Sequence, residues 1–106
     1  MNAMDEQLTA SFKRRLERAR VPFSKILVFG SRARGDANPE SDVDVLVVVD
    51  ESAPSIRRTI RDAAWEEGFD SGVVLAPVVV TRDEFDRSPF SESMFVKNVL
   101  RDGIAI

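Results

Sequence analysis

The sequence predicts one α/β domain, a small mixed β-sheet with helices packed on one face. Three observations carry this. Short runs rich in β-branched residues, 26–29, 45–49 and 72–80, are bounded by turn formers and read as strands. Apolar residues at helical spacing fill the stretches around them. A length of 106 residues leaves room for one core, and no repeat, low-complexity tract or linker divides it, so the domain is expected to span 1–106.

In chain order, Met4, Leu8, Phe12 and Leu16, with Ala19 behind, form the apolar stripe of a helix over about residues 4–20. Lys13, Arg14, Arg15, Arg18 and Arg20 fill its last part, where cations suit the negative end of the helix dipole, and are expected to form a solvated face. Pro22 ends the helix. The run Ile26-Leu27-Val28-Phe29 is the first strand, and Gly30-Ser31 its corner. The loop to Ser41 contains the turn formers Gly35, Asn38 and Pro39. Ser31 is a residue type that N-caps helices, and it is the expected cap of any helix begun by Ser31-Arg32-Ala33-Arg34. Asp42-Val43-Asp44 then leads into Val45–Val49.

Pro54 suits a helix start. Ile56, Ile60, Ala63, Ala64 and Trp65 give that helix an apolar side over about 55–67, with Trp65 expected in the core and Gly68 as terminator. Pro77 lacks an N–H, so the strand 72–80 is expected at a sheet edge or bulged there. Thr81-Arg82-Asp83-Glu84 has the form of a capping box. Beyond Pro89, Ser91 is expected to cap a last helix carrying Met94, Phe95, Val99 and Leu100, with Gly103 as its C′ residue.

The chemistry concentrates at residues 30–44. Side chains alternate along a strand, so Asp42 and Asp44 point the same way and repel each other. A divalent cation removes that cost, and Mg²⁺ favours one or two carboxylates completed by water and phosphate oxygens. A Gly-Ser corner nearby offers backbone N–H groups and a hydroxyl to phosphate. The chain has no cysteine and no histidine. Disulfides, thiolate and imidazole metal sites, and histidine-based triads are thereby excluded, so any metal must sit on oxygen, which favours Mg²⁺ or Mn²⁺.

A formal net charge of -3 argues against extended nucleic-acid binding. No apolar run approaches the ~18 residues of a membrane span. The first residues are acidic and amphipathic, unlike a secretory signal, and the lack of cysteine is compatible with the expected cytoplasmic location.

Gly30-Ser31, ten residues, then Asp42-Val43-Asp44 resembles the signature of the minimal nucleotidyltransferases of the DNA polymerase β superfamily. The fuller string Phe29-Gly30-Ser31-Arg32-Ala33-Arg34-Gly35-Asp36 with Ser41-Asp42-Val43-Asp44-Val45-Leu46, and the ending Lys97-Asn98-Val99-Leu100-Arg101-Asp102-Gly103-Ile104, are also similar to that family. The resemblance implies the nucleotidyltransferase fold and metal-dependent transfer of a nucleoside monophosphate, AMP foremost, from ATP or another NTP to a hydroxyl of a macromolecular acceptor. It implies Asp42 and Asp44 as catalytic, metal-holding residues and Gly30, Ser31 and Arg32 as nucleotide-binding residues, with Arg34 a further candidate for phosphate.

The same resemblance implies an alternative. Family members often act as antitoxins that restrain a HEPN-type toxin by binding it or adenylylating it. The family usually carries a third aspartate on the strand after the Asp-x-Asp strand, to share the metal and deprotonate the attacking hydroxyl. Here 72–80 has no acidic residue, and Asp70, with Glu66 and Glu67 on the helix before, lies nearest. Without a third carboxylate the chain is expected to bind nucleotide and to transfer it slowly or not at all.

Overall fold

A computed structural model describes residues 1–36, 38, 40–87 and 89–106; the turn former Pro39 lies outside the described residues. Four strands and five α-helices form among them. These are α1 (Ala3–Arg18), β1 (Phe23–Phe29), α2 (Ser31–Arg34), β2 (Val43–Val49), α3 (Pro54–Ser71), β3 (Leu75–Thr81), α4 (Arg82–Asp86), α5 (Met94–Asp102) and β4 (Ile104–Ala105). A 3-10 turn, Pro89–Glu92, separates α4 from α5.

The sheet order is β3-β2-β1-β4. β1 runs antiparallel to both β2 and β4, while β2 and β3 are parallel and joined by the crossover helix α3. The sheet is therefore mixed, as the sequence predicts, and Pro77 sits on an edge strand where its missing N–H costs no ladder bond.

The expectation of helices on one face needs correction, because both faces are covered. α1 and α3 pack Leu8, Phe12, Leu16, Ile60, Ala63 and Ala64 against Ile26, Val28 and the odd-numbered residues of β2. On the other face α4 and α5 pack Phe85, Val96 and Val99 against Leu46, Val48 and Val80. β2 is thus buried on both sides, which explains its unbroken apolar run from Val45 to Val49.

Several boundaries move for local reasons. Asn2 and Asp5 close a capping box on α1, while Met4 stays outside the core. α3 continues past Gly68 to Ser71 and ends at Gly72, whose φ of 76° is the left-handed C-cap geometry. Gly68 is needed within the helix, because a Cβ there would meet the Val73 carbonyl oxygen at 2.8 Å. Trp65 is exposed, not core. Thr81 and Glu84 form the expected capping box on α4. Ser93, not Ser91, caps α5, and the buried face of that helix is Val96 and Val99, with Met94 and Leu100 outside. Gly103 at its end is extended, not left-handed. Among the described residues no helix is long and apolar enough to cross a membrane.

Candidate active site

β2 is a strand of valines and leucine with one polar side chain, Asp44. Every other residue of the strand is fully buried, and Asp44 is half-buried. Asp42 lies exposed just before the strand. Burial pushes the Asp44 carboxyl above its usual range, and the charge of Asp42 pushes it further, while Arg34 pulls it back down. A carboxylate held at such cost in a central strand marks a functional group more readily than a structural one. By strand parity Asp44 shares the face of Leu46 and Val48, the side of α4 and α5.

The Gly-Ser corner is built against this carboxylate. Antiparallel pairing sets Phe29 opposite Asp44, so Gly30 emerges beside it. Gly30 has φ 75°, and a Cβ there would run into the Asp44 carboxylate oxygen. Glycine serves here twice, for the backbone angle and for the close approach. It is also the N-cap of α2, with Ser31 the first helical residue; the expected Ser31 cap is corrected by one position. No side chain caps this turn, which leaves its first N–H groups without a helical partner. Gly35, left-handed at φ 82°, donates its N–H to the Ser31 carbonyl and closes the turn.

The two arginines of this turn diverge. Arg32, expected to bind nucleotide, is buried and committed elsewhere. Its Nη1 donates to Asp5 Oδ1 at 3.2 Å, and its Nε and Nη2 donate to the Ser41 carbonyl at 3.1 and 2.6 Å. That engagement ties its guanidinium to the fold itself. Arg34 is the half-exposed one; it pairs with Asp36 at 3.2 Å and its charge acts on both Asp44 and Asp102. Local sequence does not separate Arg32 from Arg34. The discriminating signal is Asp5, an acidic residue whose burial on α1 needs a cation.

The place beside Asp44 on β3 is taken by Ala76, in parallel register and on the same face. The Val43 N–H donates to the Val74 carbonyl at 2.9 Å and fixes this alignment. Asp70 does not reach the pair. It sits on α3, the helix packed on the opposite face, and its carboxylate is 3.5 Å from Arg15 Nη2. Glu66 and Glu67 also pair with Arg15, and Glu67 accepts from Ser11 at 2.6 Å. All three acidic groups ahead of β3 thus serve the α1–α3 contact.

Among the described residues no group of three or more metal-binding side chains forms. The donors brought together are two carboxylates, whose mutual repulsion a cation would relieve. That set fits Mg²⁺ or Mn²⁺ with waters or phosphate oxygens as the remaining ligands.

Comparison with known proteins agrees with this frame. The family model described as a nucleotidyltransferase domain matches residues 10–106. A candidate protein adenylyltransferase of Methanocaldococcus jannaschii is 34% identical over 79 residues, covering 74% of this chain and 73% of its own. Among solved structures, a candidate minimal nucleotidyltransferase superposes with a TM-score of 0.60 at 28% identity, covering 96% of this chain and 95% of its own. A candidate nucleotidyltransferase from Sulfolobus solfataricus gives a TM-score of 0.54 at 21% identity, with coverage of 99% and 86%, a likeness of fold alone.

Proposed function

The chain belongs to the nucleotidyltransferase domain family, and on that premise we propose that it binds a nucleoside triphosphate, foremost ATP, and directs the nucleoside monophosphate to a hydroxyl of a macromolecular acceptor. The observation that carries this is the close approach of Gly30 to Asp44: one corner joins a carboxylate pair to the first turn of α2, which no side chain caps. A protein acceptor is supported by the name of the M. jannaschii relative. In the reaction the acceptor oxygen forms a bond to the α-phosphorus, the bond to the β-phosphate oxygen breaks, and pyrophosphate leaves.

Asp42 and Asp44 would hold the cation, Mg²⁺ or Mn²⁺, which would neutralise phosphate charge and ease the departure of pyrophosphate. Ser31 and the amides of the first turn of α2 receive the outer phosphates. Arg34 adds positive charge from the half-exposed end of that turn. The hydroxyl proton has no carboxylate waiting for it on β3, where Ala76 stands.

That alanine favours a second reading, a catalytically weak or inactive module that binds nucleotide and works on a HEPN-type protein partner by contact, as an antitoxin would. The two readings are separated by titration calorimetry of ATP with Mg²⁺ on wild type, Asp42→Asn and Asp44→Asn, run beside turnover with and without the partner. Binding lost in both variants supports the site. Turnover only in the partner's presence supports the enzyme, and binding without turnover supports the module. Unchanged affinity in both variants removes the metal assignment.

A further inference from the structure

We infer that Arg32 is a positioning residue for the carboxylate pair, with buried Asp5 as its anchor; this rests on the nucleotide–metal reading of Asp42 and Asp44. The side chain joins two segments far apart in sequence. One end meets Asp5 in the first turn of α1, a helix tied to the sheet by Leu8, Phe12 and Leu16. The other end grips the carbonyl of Ser41 with two N–H groups. Ser41 is the residue before Asp42, and on its other side the chain is pinned by Val43 N–H to Val74. The backbone carrying Asp42 is therefore held at both ends, by Arg32 ahead of it and by β3 behind it.

The chemistry suits that task. A guanidinium is a rigid planar fork with donors on three nitrogens, so it spans acceptors too far apart for the single nitrogen of an ammonium to bridge in the same geometry. The Asp5 carboxylate is itself fixed, since its backbone N–H donates to Asn2 Oδ1 at 2.8 Å and its Oδ2 accepts from the Asn2 N–H at 3.4 Å. Both partners of the ion pair, at 3.2 Å, are almost wholly buried, so releasing one leaves the other uncompensated. Asp42, exposed and at the end of a loop, has no burial of its own to hold it; its placement comes from these neighbours.

The test uses Arg32→Lys, Asp5→Ala and Asp5→Asn, with Leu8→Val as a control that loosens α1 without touching Ser41. Each is measured at a fixed interval below its own Tm. Two readouts are taken: Mn²⁺ affinity from the paramagnetic signal of free Mn²⁺, and amide exchange of Val43 relative to Val47 within the same strand. Arg32→Lys and Asp5→Ala are expected to weaken Mn²⁺ affinity about tenfold, the loss of one hydrogen bond to a charged group, and to speed Val43 exchange relative to Val47. Asp5→Asn keeps an oxygen acceptor for Arg32 and is expected to rescue most of both. Leu8→Val is expected to change neither. Wild-type affinity and Val43 protection in Arg32→Lys overturn the inference, as does an equal loss in Leu8→Val. If wild type binds no Mn²⁺, the metal reading fails, and Val43 exchange alone still decides whether Arg32 positions this backbone.

Discussion

Asp44 of β2 and Ala76 of β3 stand side by side in parallel register, on one face of the sheet. The strand on which the family usually carries its third carboxylate thus presents a methyl group to the inner carboxylate of the pair. On the proposed reading two aspartates would attract a cation, and no side chain of β3 is a carboxylate that could take a proton. Binding and transfer are separable properties in such a site, and most of the outcomes below depend on that separation.

Gly30→Ala tests the close approach of the corner to Asp44. The substitution puts a non-glycine residue at φ 75° and a methyl group into the carboxylate. Left-handed strain alone costs about 1–3 kcal/mol. The expected outcome is a lower Tm together with a loss of ATP affinity in Mg²⁺, measured by melting and calorimetry. Unchanged affinity would show that the corner is a plain turn.

Asp44→Asn is expected to stabilise the metal-free protein near neutral pH. Burial and Asp42 hold the Asp44 carboxyl above its usual range in the folded state. The protonated form therefore favours folding; that contribution is complete below the unfolded-state value and is lost as pH rises through the raised folded one. Asparagine does not titrate. Its melting temperature should exceed wild type at pH 7, and the gap should close in acid. Added Mn²⁺ should reverse the order, because a ligand stabilises only the form that binds it. Identical melting curves at pH 7, with and without Mn²⁺, would contradict this.

Ser31→Ala and Arg34→Gln probe the phosphate side. Each is expected to weaken triphosphate binding more than monophosphate binding. The serine change should cost about 0.5–1.5 kcal/mol for a neutral hydrogen bond, more if the acceptor is charged. The arginine change should also flatten the salt dependence of affinity, since an exposed charge is lost. Equal losses for the two ligands would return both residues to structural roles.

Asp70→Asn should leave nucleotide binding and transfer unchanged. Its carboxylate is largely exposed and pairs with Arg15 on the far side of the sheet. Exposed pairs contribute about 0–1 kcal/mol, so the stability cost should be small. Loss of transfer in this variant would make Asp70 a displaced third carboxylate after all.

The parts of this fold that depend on periodicity were legible in the sequence. The stripe of Leu8, Phe12 and Leu16 and the alternation around Asp42 and Asp44 place α1 and β2 correctly. The missing acid on β3 was legible too, and the register then locates the gap at Ala76. What sequence left open depends on tertiary contact. Arg32 and Arg34 look alike until Asp5 arrives from another helix. Gly68 looks like a helix terminator until the chain of Val73 folds back over it. Trp65 looks like core by type, yet α3 turns it outward. The second helical layer was missed because the fully buried residues of α5 are two valines, while Phe95 is half-buried beside them and Met94 and Leu100 lie outside.

Ala76→Asp tests the central claim most directly. The position is half-buried, small and beside Asp44, so a carboxylate there would complete the trio. The measurement is incorporation of label from ATP into candidate acceptor proteins, a HEPN-type partner included, in Mg²⁺ or Mn²⁺, for wild type and variant at matched nucleotide saturation. The predicted result is saturable nucleotide binding by both proteins, little or no transfer by wild type, and a rise in transfer toward the ~10²–10⁴-fold worth of general-base assistance in Ala76→Asp. Brisk labelling by wild type that Ala76→Asp does not increase would contradict the account and place the base outside β3.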